Sequence, residues 1–350
     1  MNTSHSKPSL HIRTDGNGEI GTGHVMRSLS IAEAVRKQGG AVTFITADMA
    51  LASAISGKGF PLLCLESVWN DLDGETEAMA ALVSREGISN LLVDSYFVTP
   101  SYLRLLNGLT TLHYIDDLNL FPYPCRRLIN YNVYGPDWVY QCPDPRTELL
   151  LGCDYAPLRE EFQNIPKRKA GERAEKLLLT TGGSDPLNVA GEVLAQAEKQ
   201  GLFAAFQFHV VLGRFNPHRR FLRAFAEKYP GRIYLHENVS RMSDLMTGCD
   251  LAISAGGSTL YELCACGTPT VTFAMADNQL SLVDAFEKKG LMAYVGDFRY
   301  DAGACLESIA DVLLQWREDA AVRQTMADAM QALVDGQGAR RLAAILIGGR

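Results

Sequence analysis

The sequence predicts an α/β protein with two domains, each built around a parallel β-sheet. Short apolar or β-branched runs alternate with longer amphipathic runs along the 350 residues, which is the pattern of βα units. The alternation stops once, in a charged stretch at 160–175, and restarts beyond it. Because single hydrophobic cores rarely grow beyond roughly 250–300 residues, a chain of this length has material for two.

The first half of the chain contains six short runs that are typical of strands. The helix expected after the first of them covers Gly23 to Gln38, where apolar residues recur at a spacing that buries one helix face. A later helix is expected to begin near Asp71. The predicted strands are 9–13, 41–46, 61–65, 90–94, 111–115 and 127–130.

The stretch at 160–175 is the best linker candidate, because it is charged, carries few large apolar side chains and contains a proline and a glycine. We therefore predict one domain over 1–160 and another over 175–350. The helical stretch at 305–349 can pack back on the first domain. Strands of the second domain are predicted at 176–181, 206–212, 232–235, 250–254 and 269–273.

Charge and composition exclude several classes of protein. The net charge of −7 argues against a broad nucleic-acid-binding surface, since clustered Lys and Arg hold a phosphate backbone. No apolar run approaches the roughly 20 residues of a membrane span, and MNTSHSKPSL has neither the apolar core nor the cleavage site of a secretory leader. We expect a cytoplasmic protein with a small-molecule partner and no nucleic-acid or membrane partner.

Neither cysteines nor acidic pairs predict a metal site. The eight cysteines are scattered, and the spacing of the closest two, Cys264 and Cys266, fits no zinc-binding pattern, so buried free thiols are favoured. Asp71 and Asp73 match a short acid pair that some enzymes use to hold a metal, but they follow no convincing strand. Helix capping explains them better, and neither a metal nor another cofactor is predicted.

The most distinctive motif is GEIGTGHVMRS at 18–28, which follows the first strand and opens a helix. Gly21 and Gly23 allow backbone N–H groups to approach a ligand closely. The spacing is that of neither a dinucleotide-binding fingerprint nor a P-loop. His24 lies at the positive end of the helix dipole, which disfavours the imidazolium form, so its neutral ring can act as a general base. A capping or packing histidine is the alternative.

A second glycine-rich turn follows the strand at 176–181. Gly182, Gly183 and Ser184 turn the chain, Asp185 can cap the next helix, and Pro186 suits the first helical position. Such a turn indicates an anion site.

The third turn, ISAGGSTLYE at 253–262, also runs from a strand into a helix. Its Gly, Ser and Thr residues offer donors at a helix N-terminus. Glu262 follows one turn later, where its carboxylate can accept both hydroxyls of a ribose. An ordinary first-turn helix acid is the alternative.

Polar residues also follow the strands at 90–94 and 111–115, namely Asp94, Ser95 and Tyr96, then Asp116 and Asp117. Ligands of open parallel sheets bind beyond the carboxyl ends of the strands. The three glycine-rich motifs and these polar residues all lie at such ends. The acids can equally be helix N-caps.

Together these residues resemble the PseG family, the UDP-2,4-diacetamido-2,4,6-trideoxy-β-L-altropyranose hydrolases of pseudaminic acid biosynthesis. The resemblance extends in matching order from about residue 9 to 290. It is carried by Arg13 and Asp15, GTGHVMR (21–27), VDSY (93–96), YIDD (114–117), NYN (130–132), GCDYAPLREEF (152–162), TTGGSD (180–185) and ISAGGSTLYE (253–262).

The resemblance implies a glycosyltransferase-B-like fold, in which two Rossmann-like domains face a central cleft and the C-terminal one holds UDP. It implies that His24 is the catalytic base, that Tyr96 lies near the sugar, and that water attacks the anomeric carbon with inversion. No metal is implied. The residues expected to bind the substrate are Arg13, Asp15, Gly21, Gly23, Arg27, Asp94, Asn132, Gly183, Ser184, Ala255, Gly256, Gly257, Ser258, Thr259, Glu262, Asn278 and Gln279.

Two departures from the family bear on the identity of the sugar. Ser95 stands where the family has histidine, and the turn at 255–258 is less rich in serine. A glycosyltransferase of the same fold, which passes the sugar to an acceptor hydroxyl, is the main alternative function. A non-catalytic nucleotide-sugar-binding protein would keep Glu262 and the glycine turns but have no use for His24. No oligomer is predicted.

Overall fold

The computed structural model describes residues 7–17, 19–213 and 215–348. The chain divides into two compact units, one made of Met1–Glu160 with Gln337–Arg350 and the other of Glu161–Gly336. Within the described residues, no helix is both long and apolar enough to cross a membrane.

The first unit is built on a seven-stranded sheet with the order β3-β2-β1-β4-β5-β6-β7. Neighbouring strands run parallel. The order reverses between β1 and β4, so the loops after these two strands diverge and leave a crevice at the carboxyl edge. The strands are β1 (Ser9–Thr14), β2 (Ala41–Thr46), β3 (Leu62–Cys64), β4 (Asn90–Asp94), β5 (Thr111–Ile115), β6 (Arg127–Asn130) and β7 (Glu148–Leu151).

Helices pack on both faces of this sheet, as the buried strands of a parallel sheet require. The last helix of the chain belongs here: Gln38, just after α1, donates from Nε2 to the carbonyl of Arg340 at 2.9 Å, and Asn90 donates from Nδ2 to the carbonyl of Leu346 at 2.8 Å. The helices are α1 (Gly23–Lys37), α2 (Ala52–Ser56), α3 (Thr76–Glu86), α4 (Pro100–Leu109) and α12 (Gly338–Gly348).

The second unit has a six-stranded sheet with the order β10-β9-β8-β11-β12-β13. Its strands are also parallel, and the order reverses between β8 and β11. The strands are β8 (Lys176–Thr180), β9 (Gln207–Leu212), β10 (Ile233–Glu237), β11 (Leu251–Ala255), β12 (Thr270–Ala274) and β13 (Ala293–Asp297). The helices are α5 (Val189–Lys199), α6 (Arg219–Lys228), α7 (Met242–Gly248), α8 (Thr259–Cys266), α9 (Asp277–Lys288), α10 (Ala302–Glu318) and α11 (Ala320–Leu333).

The segment 163–175, all of whose residues are described, contains no helix or strand. It is nevertheless fixed to the second unit through Arg168. The guanidinium of Arg168 donates to the carbonyls of Met246 at 3.0 Å and Cys249 at 2.9 Å, and to Oγ1 of Thr268 at 2.8 Å. The linker predicted from composition is therefore an ordered connection that is bonded to one side.

All the strands predicted from the sequence are present, with ends that differ by one or two residues. Two strands at sheet edges, β7 and β13, were not predicted. β13 carries Gly296 at φ +115 and shifts register against β12, so its sequence shows no regular alternation. The C-terminal helical stretch is divided into three helices, and the carboxylate of Asp319 caps the second by accepting from the N–H of Val322.

Two predicted helix starts were wrong. The helix expected near Asp71 begins at Thr76, because Asp73–Glu75 forms a 3-10 turn in which Asp71 accepts from the N–H of Gly74 at 3.1 Å. Pro186 is not the first residue of α5. The carboxylate of Asp185 accepts from the N–H groups of Val189 and Ala190, at 2.7 and 3.1 Å, and so begins the helix at Val189.

Candidate active site

The crevice at the β1/β4 reversal brings together two residues that are far apart in sequence. His24 lies at the start of α1, which follows β1, and Asp94 is the last residue of β4. The distance between Nδ1 of His24 and Oδ1 of Asp94 is 2.6 Å. Because the ionised carboxylate of Asp94 can only accept, Nδ1–H of His24 is the donor, and the lone pair of the neutral ring lies on Nε2. The pair therefore has the geometry of a histidine base oriented by an acid.

Asp94 orients His24 and is itself held from several sides. Its side chain is fully buried, and Oδ2 accepts from Nε of Arg27 at 2.7 Å and from Oγ of Ser28 at 3.3 Å. Burial acts to raise the pKa of Asp94, but Arg27 and His24 hold it well below its ordinary value. Asp94 was predicted to contact the substrate. Because both carboxylate oxygens are occupied, its position fits an orienting role instead.

Arg27 connects this acid to a second one. Its Nη1 donates to Oδ2 of Asp117 and to the hydroxyl of Tyr131, both at 2.9 Å. The other oxygen of Asp117 accepts from Nδ2 of Asn132 at 2.8 Å. Arg27 and Asn132, both predicted to bind the substrate, thus belong to a polar cluster beside His24. Tyr131, which lies in the NYN motif but was not predicted as a site residue, belongs to the same cluster.

Tyr96 lies directly beside His24. The two ring centroids are 4.4 Å apart, and the planes meet at 79° in an edge-to-face contact. Burial raises the pKa of Tyr96 above its ordinary value, and the negative charge of Asp117 raises it further. Tyr96 therefore remains a protonated phenol, suited to donate a hydrogen bond rather than to remove a proton.

Arg13 does not line the crevice, which corrects its prediction as a substrate ligand. Its side chain is fully buried, and Nε and Nη2 donate to the two oxygens of Glu75 at 2.8 and 2.7 Å. It also pairs with Asp15, whose other oxygen accepts from the N–H of Ala47 at 2.8 Å. Burial raises the pKa of Asp15. Both predicted ligands, with the unpredicted Glu75, thus anchor the chain where the glycine loop leaves β1.

The glycine loop turns back on itself ahead of His24. Asn17 accepts at Oδ1 from the N–H groups of Glu19 and Ile20, and its own N–H donates to the carbonyl of Gly21 at 3.1 Å. Gly21 has φ +76, a backbone conformation that favours glycine. Gly21 and Gly23 are both exposed, as ligand-contacting glycines should be. Gly18, the first residue of the motif, lies outside the described residues.

In the second unit, the loops after β8 and β11 flank the other reversal of strand order. Gly182 has φ +82, and Gly182, Gly183 and Ser184 are all exposed. The N–H of Phe215 donates to the carbonyl of Gly183 at 2.9 Å, which ties this turn to the loop after β9. Gly183 and Ser184 therefore lie on an exposed turn beyond the carboxyl end of β8.

The turn after β11 is packed more tightly. Ala255 ends the strand and is buried, and a Cβ on Gly256 would lie 2.4 Å from Cγ1 of Val283. Ser258 is exposed, and Thr259 begins α8.

The three remaining predicted ligands flank this turn. Glu262 is half-buried in the first turn of α8. Gln279 accepts at Oε1 from the N–H of Met275 at 2.8 Å and thereby supports the neighbouring loop. Asn278 is exposed. Among the described residues, no group of three or more His, Cys, Asp or Glu side chains is placed to hold a metal ion.

Comparison with known proteins places the chain among relatives of low sequence identity. No family model matches. A UDP-2,4-diacetamido-2,4,6-trideoxy-β-L-altropyranose hydrolase of Campylobacter jejuni subsp. jejuni serotype O:2 is 25% identical over 296 residues, which cover 82% of this chain and 98% of the hydrolase. The resemblance found in the sequence is confirmed. An uncharacterized protein of Methanocaldococcus jannaschii, MJ1062, is 25% identical over 293 residues, covering 80% of this chain and 58% of the relative's length.

The fold is established by solved structures. MurG of Acinetobacter baumannii superimposes with a TM-score of 0.68 at 12% sequence identity, covering 98% of this chain and 100% of MurG. The chain has the glycosyltransferase-B fold.

Proposed function

We propose that this protein is a nucleotide-sugar hydrolase that releases UDP from a UDP-linked 2,4-diacetamido-2,4,6-trideoxy sugar. The observation that carries the proposal is the His24–Asp94 pair, with a 2.6 Å distance between Nδ1 and Oδ1 at the carboxyl edge of the first sheet. The Campylobacter jejuni hydrolase among the relatives supports the substrate. The resemblance to the PseG family supports a place in pseudaminic (nonulosonic) acid biosynthesis.

In the proposed reaction His24 is the general base. Nε2 takes a proton from water as the water oxygen forms a bond to the anomeric carbon, and the bond from that carbon to the phosphate oxygen breaks. Attack opposite to the leaving group inverts the configuration. Asp94 holds the ring and balances the charge of the imidazolium that forms, and Tyr96 donates a hydrogen bond to the sugar or the water.

The second unit supplies the nucleotide-binding residues in this proposal. N–H groups of the turns at Gly183 and Ser184 and at 255–259 meet the diphosphate, whose charge grows as UDP leaves. Glu262 accepts the ribose hydroxyls. In this proposal the first unit thus binds the sugar, and the second unit, Glu161–Gly336, binds UDP.

The test is release of free UDP from a panel of UDP-sugars without any acceptor. We expect turnover of the diacetamido trideoxy sugar, and His24→Ala lowers kcat by at least roughly 100-fold with UDP affinity unchanged, as loss of a general base should. His236→Ala, which alters a half-buried histidine on the second sheet, is the control and keeps full activity. Near-normal turnover by His24→Ala would contradict the proposal.

A glycosyltransferase is the second candidate, and the glycosyltransferase-B fold is the observation that favours it. Such an enzyme would use the same UDP site but deliver the sugar to an acceptor hydroxyl. The same assay separates the two, because a transferase releases UDP at a useful rate only after an acceptor is added.

A further inference from the structure

The polar cluster beside His24 contains two acids and one arginine. Arg27 binds Asp94 through Nε and Asp117 through Nη1, with distances of 2.7 and 2.9 Å to the carboxylate oxygens. The side chains are almost inaccessible to solvent, with 10% exposure for Arg27, 0% for Asp94 and 12% for Asp117. Because solvent screens these charges poorly, their balance matters for any group that gains or loses a proton beside them.

With a neutral His24, the formal charges of this cluster sum to one negative charge. His24 contacts Asp94 at the end of β4 and Tyr96 just after it. Arg27, on the same helix as His24, contacts Asp94, Asp117 after β5 and Tyr131 after β6. The two tyrosines add no charge, because burial raises the pKa of both, that of Tyr131 to about 12. The cluster becomes neutral when His24 takes a proton.

We propose that Asp117 is a positioning residue that makes His24 a stronger base. Arg27 alone would neutralise Asp94 and leave the His24–Asp94 pair with little net attraction for a proton. Asp117 offsets the charge of Arg27, so that the carboxylate of Asp94 remains effective against the imidazolium. This inference rests on the proposed function, in which Nε2 of His24 receives the proton of the attacking water.

The bonds of Asp117 allow its charge to be separated from its contact with Arg27. Asp117→Asn removes the charge, keeps an oxygen that can accept from Nη1 of Arg27, and loses the oxygen that accepts from Nδ2 of Asn132. Asp117→Glu keeps the charge. Tyr131→Phe removes one of the hydrogen bonds that hold Arg27, 2.9 Å long, without changing any charge. If Asp117→Asn fails to fold, Asp117→Ser is a smaller neutral replacement for the same measurement.

The decisive experiment follows the ring nitrogens of ¹⁵N-labelled histidine by long-range proton–nitrogen NMR, without substrate, with His24 assigned by its loss in His24→Gln. In Asp117→Asn we expect the titration midpoint of His24 to fall by roughly one pH unit, because removal of a nearby negative charge disfavours the imidazolium. Asp117→Glu and Tyr131→Phe keep the midpoint of the parent protein. Asp144→Asn, which removes a half-buried acid of the same unit that pairs with Arg146, also leaves it unchanged. An unshifted midpoint in a folded Asp117→Asn variant would overturn the proposal.

Kinetics provide the second readout. A base that holds its proton less strongly is free at lower pH but is also weaker. The acid limb of the kcat profile in Asp117→Asn should therefore move to lower pH while the plateau falls about three- to tenfold. If no UDP-sugar is hydrolysed by the parent protein, the proposed function fails, and the NMR midpoint still decides the charge coupling. An NMR shift without a change in the acid limb of an active enzyme would remove the link to catalysis.

Discussion

Glu262 is the residue on which nucleotide binding in the proposed reaction depends most directly. It lies in the first turn of α8, close to the helix N-terminus, and its side chain is half-buried. We predict that Glu262→Gln weakens the binding of UDP and of the UDP-sugar together, by roughly 1–3 kcal/mol for a charge-assisted hydrogen bond. Calorimetry with UDP alone measures this.

The matched control is Glu307→Gln, which removes the charge of an exposed acid on α10 of the same unit. Its UDP affinity should equal that of the parent protein. If Glu262→Gln also leaves the UDP affinity unchanged, Glu262 is an ordinary first-turn helix acid and does not bind the ribose.

The residues of the candidate site were easier to predict from the sequence than the hydrogen bonds that they form. His24 was found because it follows a strand and glycines at a helix start, which is a local pattern. Its bond to Asp94 spans 70 residues, and the bond from Arg13 to Glu75 spans 62. Such bonds depend on which strands become neighbours, and no local periodicity encodes that. Arg13 was therefore predicted to bind the ligand, although Glu75 and Asp15 hold it in the interior.

At the scale of the elements, packing against α9 restricts the residue type in the turn between β11 and α8. A Cβ on Gly256 would lie 2.4 Å from Cγ1 of Val283, a fully buried β-branched side chain with little rotamer freedom. We predict that Gly256→Ala lowers the free energy of unfolding by roughly 1–3 kcal/mol through overpacking and displaces the turn from α9. Urea denaturation followed by circular dichroism measures the stability.

The adjacent glycine provides the control. A Cβ on Gly257 would meet nothing within 4 Å, so Gly257→Ala should change the free energy of unfolding by less than about 0.5 kcal/mol. Equal stabilities of the two variants would show that the contact with Val283 is relieved at no cost.

The elements were predictable where burial produces a regular pattern. β11 and β12 are buried along their whole length and appear in the sequence as continuous apolar and small-residue runs. The edge strand β7, with the sequence ELLL, is only four residues long and half-exposed, so neither length nor alternation marks it. The start of α5 depended on which N–H groups the carboxylate of Asp185 reaches, a question of loop geometry rather than of periodicity.

At the scale of the whole molecule, each unit repeats one rule. Both sheets reverse their strand order at the middle, between β1 and β4 in one and between β8 and β11 in the other. His24 at the start of α1 and Asp94 at the end of β4 lie at this reversal in the first unit, and the two glycine turns lie at the reversal in the second. Alternating strands and helices predicted the parallel sheets, and the crevices where the strand order reverses predict ligand sites at these loops.

The bond that breaks distinguishes the proposed hydrolysis from the reaction of a pyrophosphatase. A pyrophosphatase also consumes a UDP-sugar, but attack on phosphorus normally calls for a metal clamp on the diphosphate. The described residues contain no group of three or more side chains suited to hold one, whereas His24 and the two turns can serve attack at carbon. We predict that the reaction in ¹⁸O-water with excess chelator proceeds and yields UDP rather than UMP.

The position of the label completes this prediction. Attack at the anomeric carbon places ¹⁸O in the sugar and none in the phosphates of UDP, with inversion at that carbon. Because the anomeric oxygen of a free sugar exchanges with water and its configuration equilibrates, the phosphate label and early proton NMR spectra are the diagnostic measurements. UDP incubated with the protein in ¹⁸O-water is the control for exchange into phosphate. Label in the UDP phosphates, formation of UMP, or loss of turnover with chelator would each show attack at phosphorus or a metal-dependent step, and the roles given to His24 and the turn at 255–259 would then be wrong.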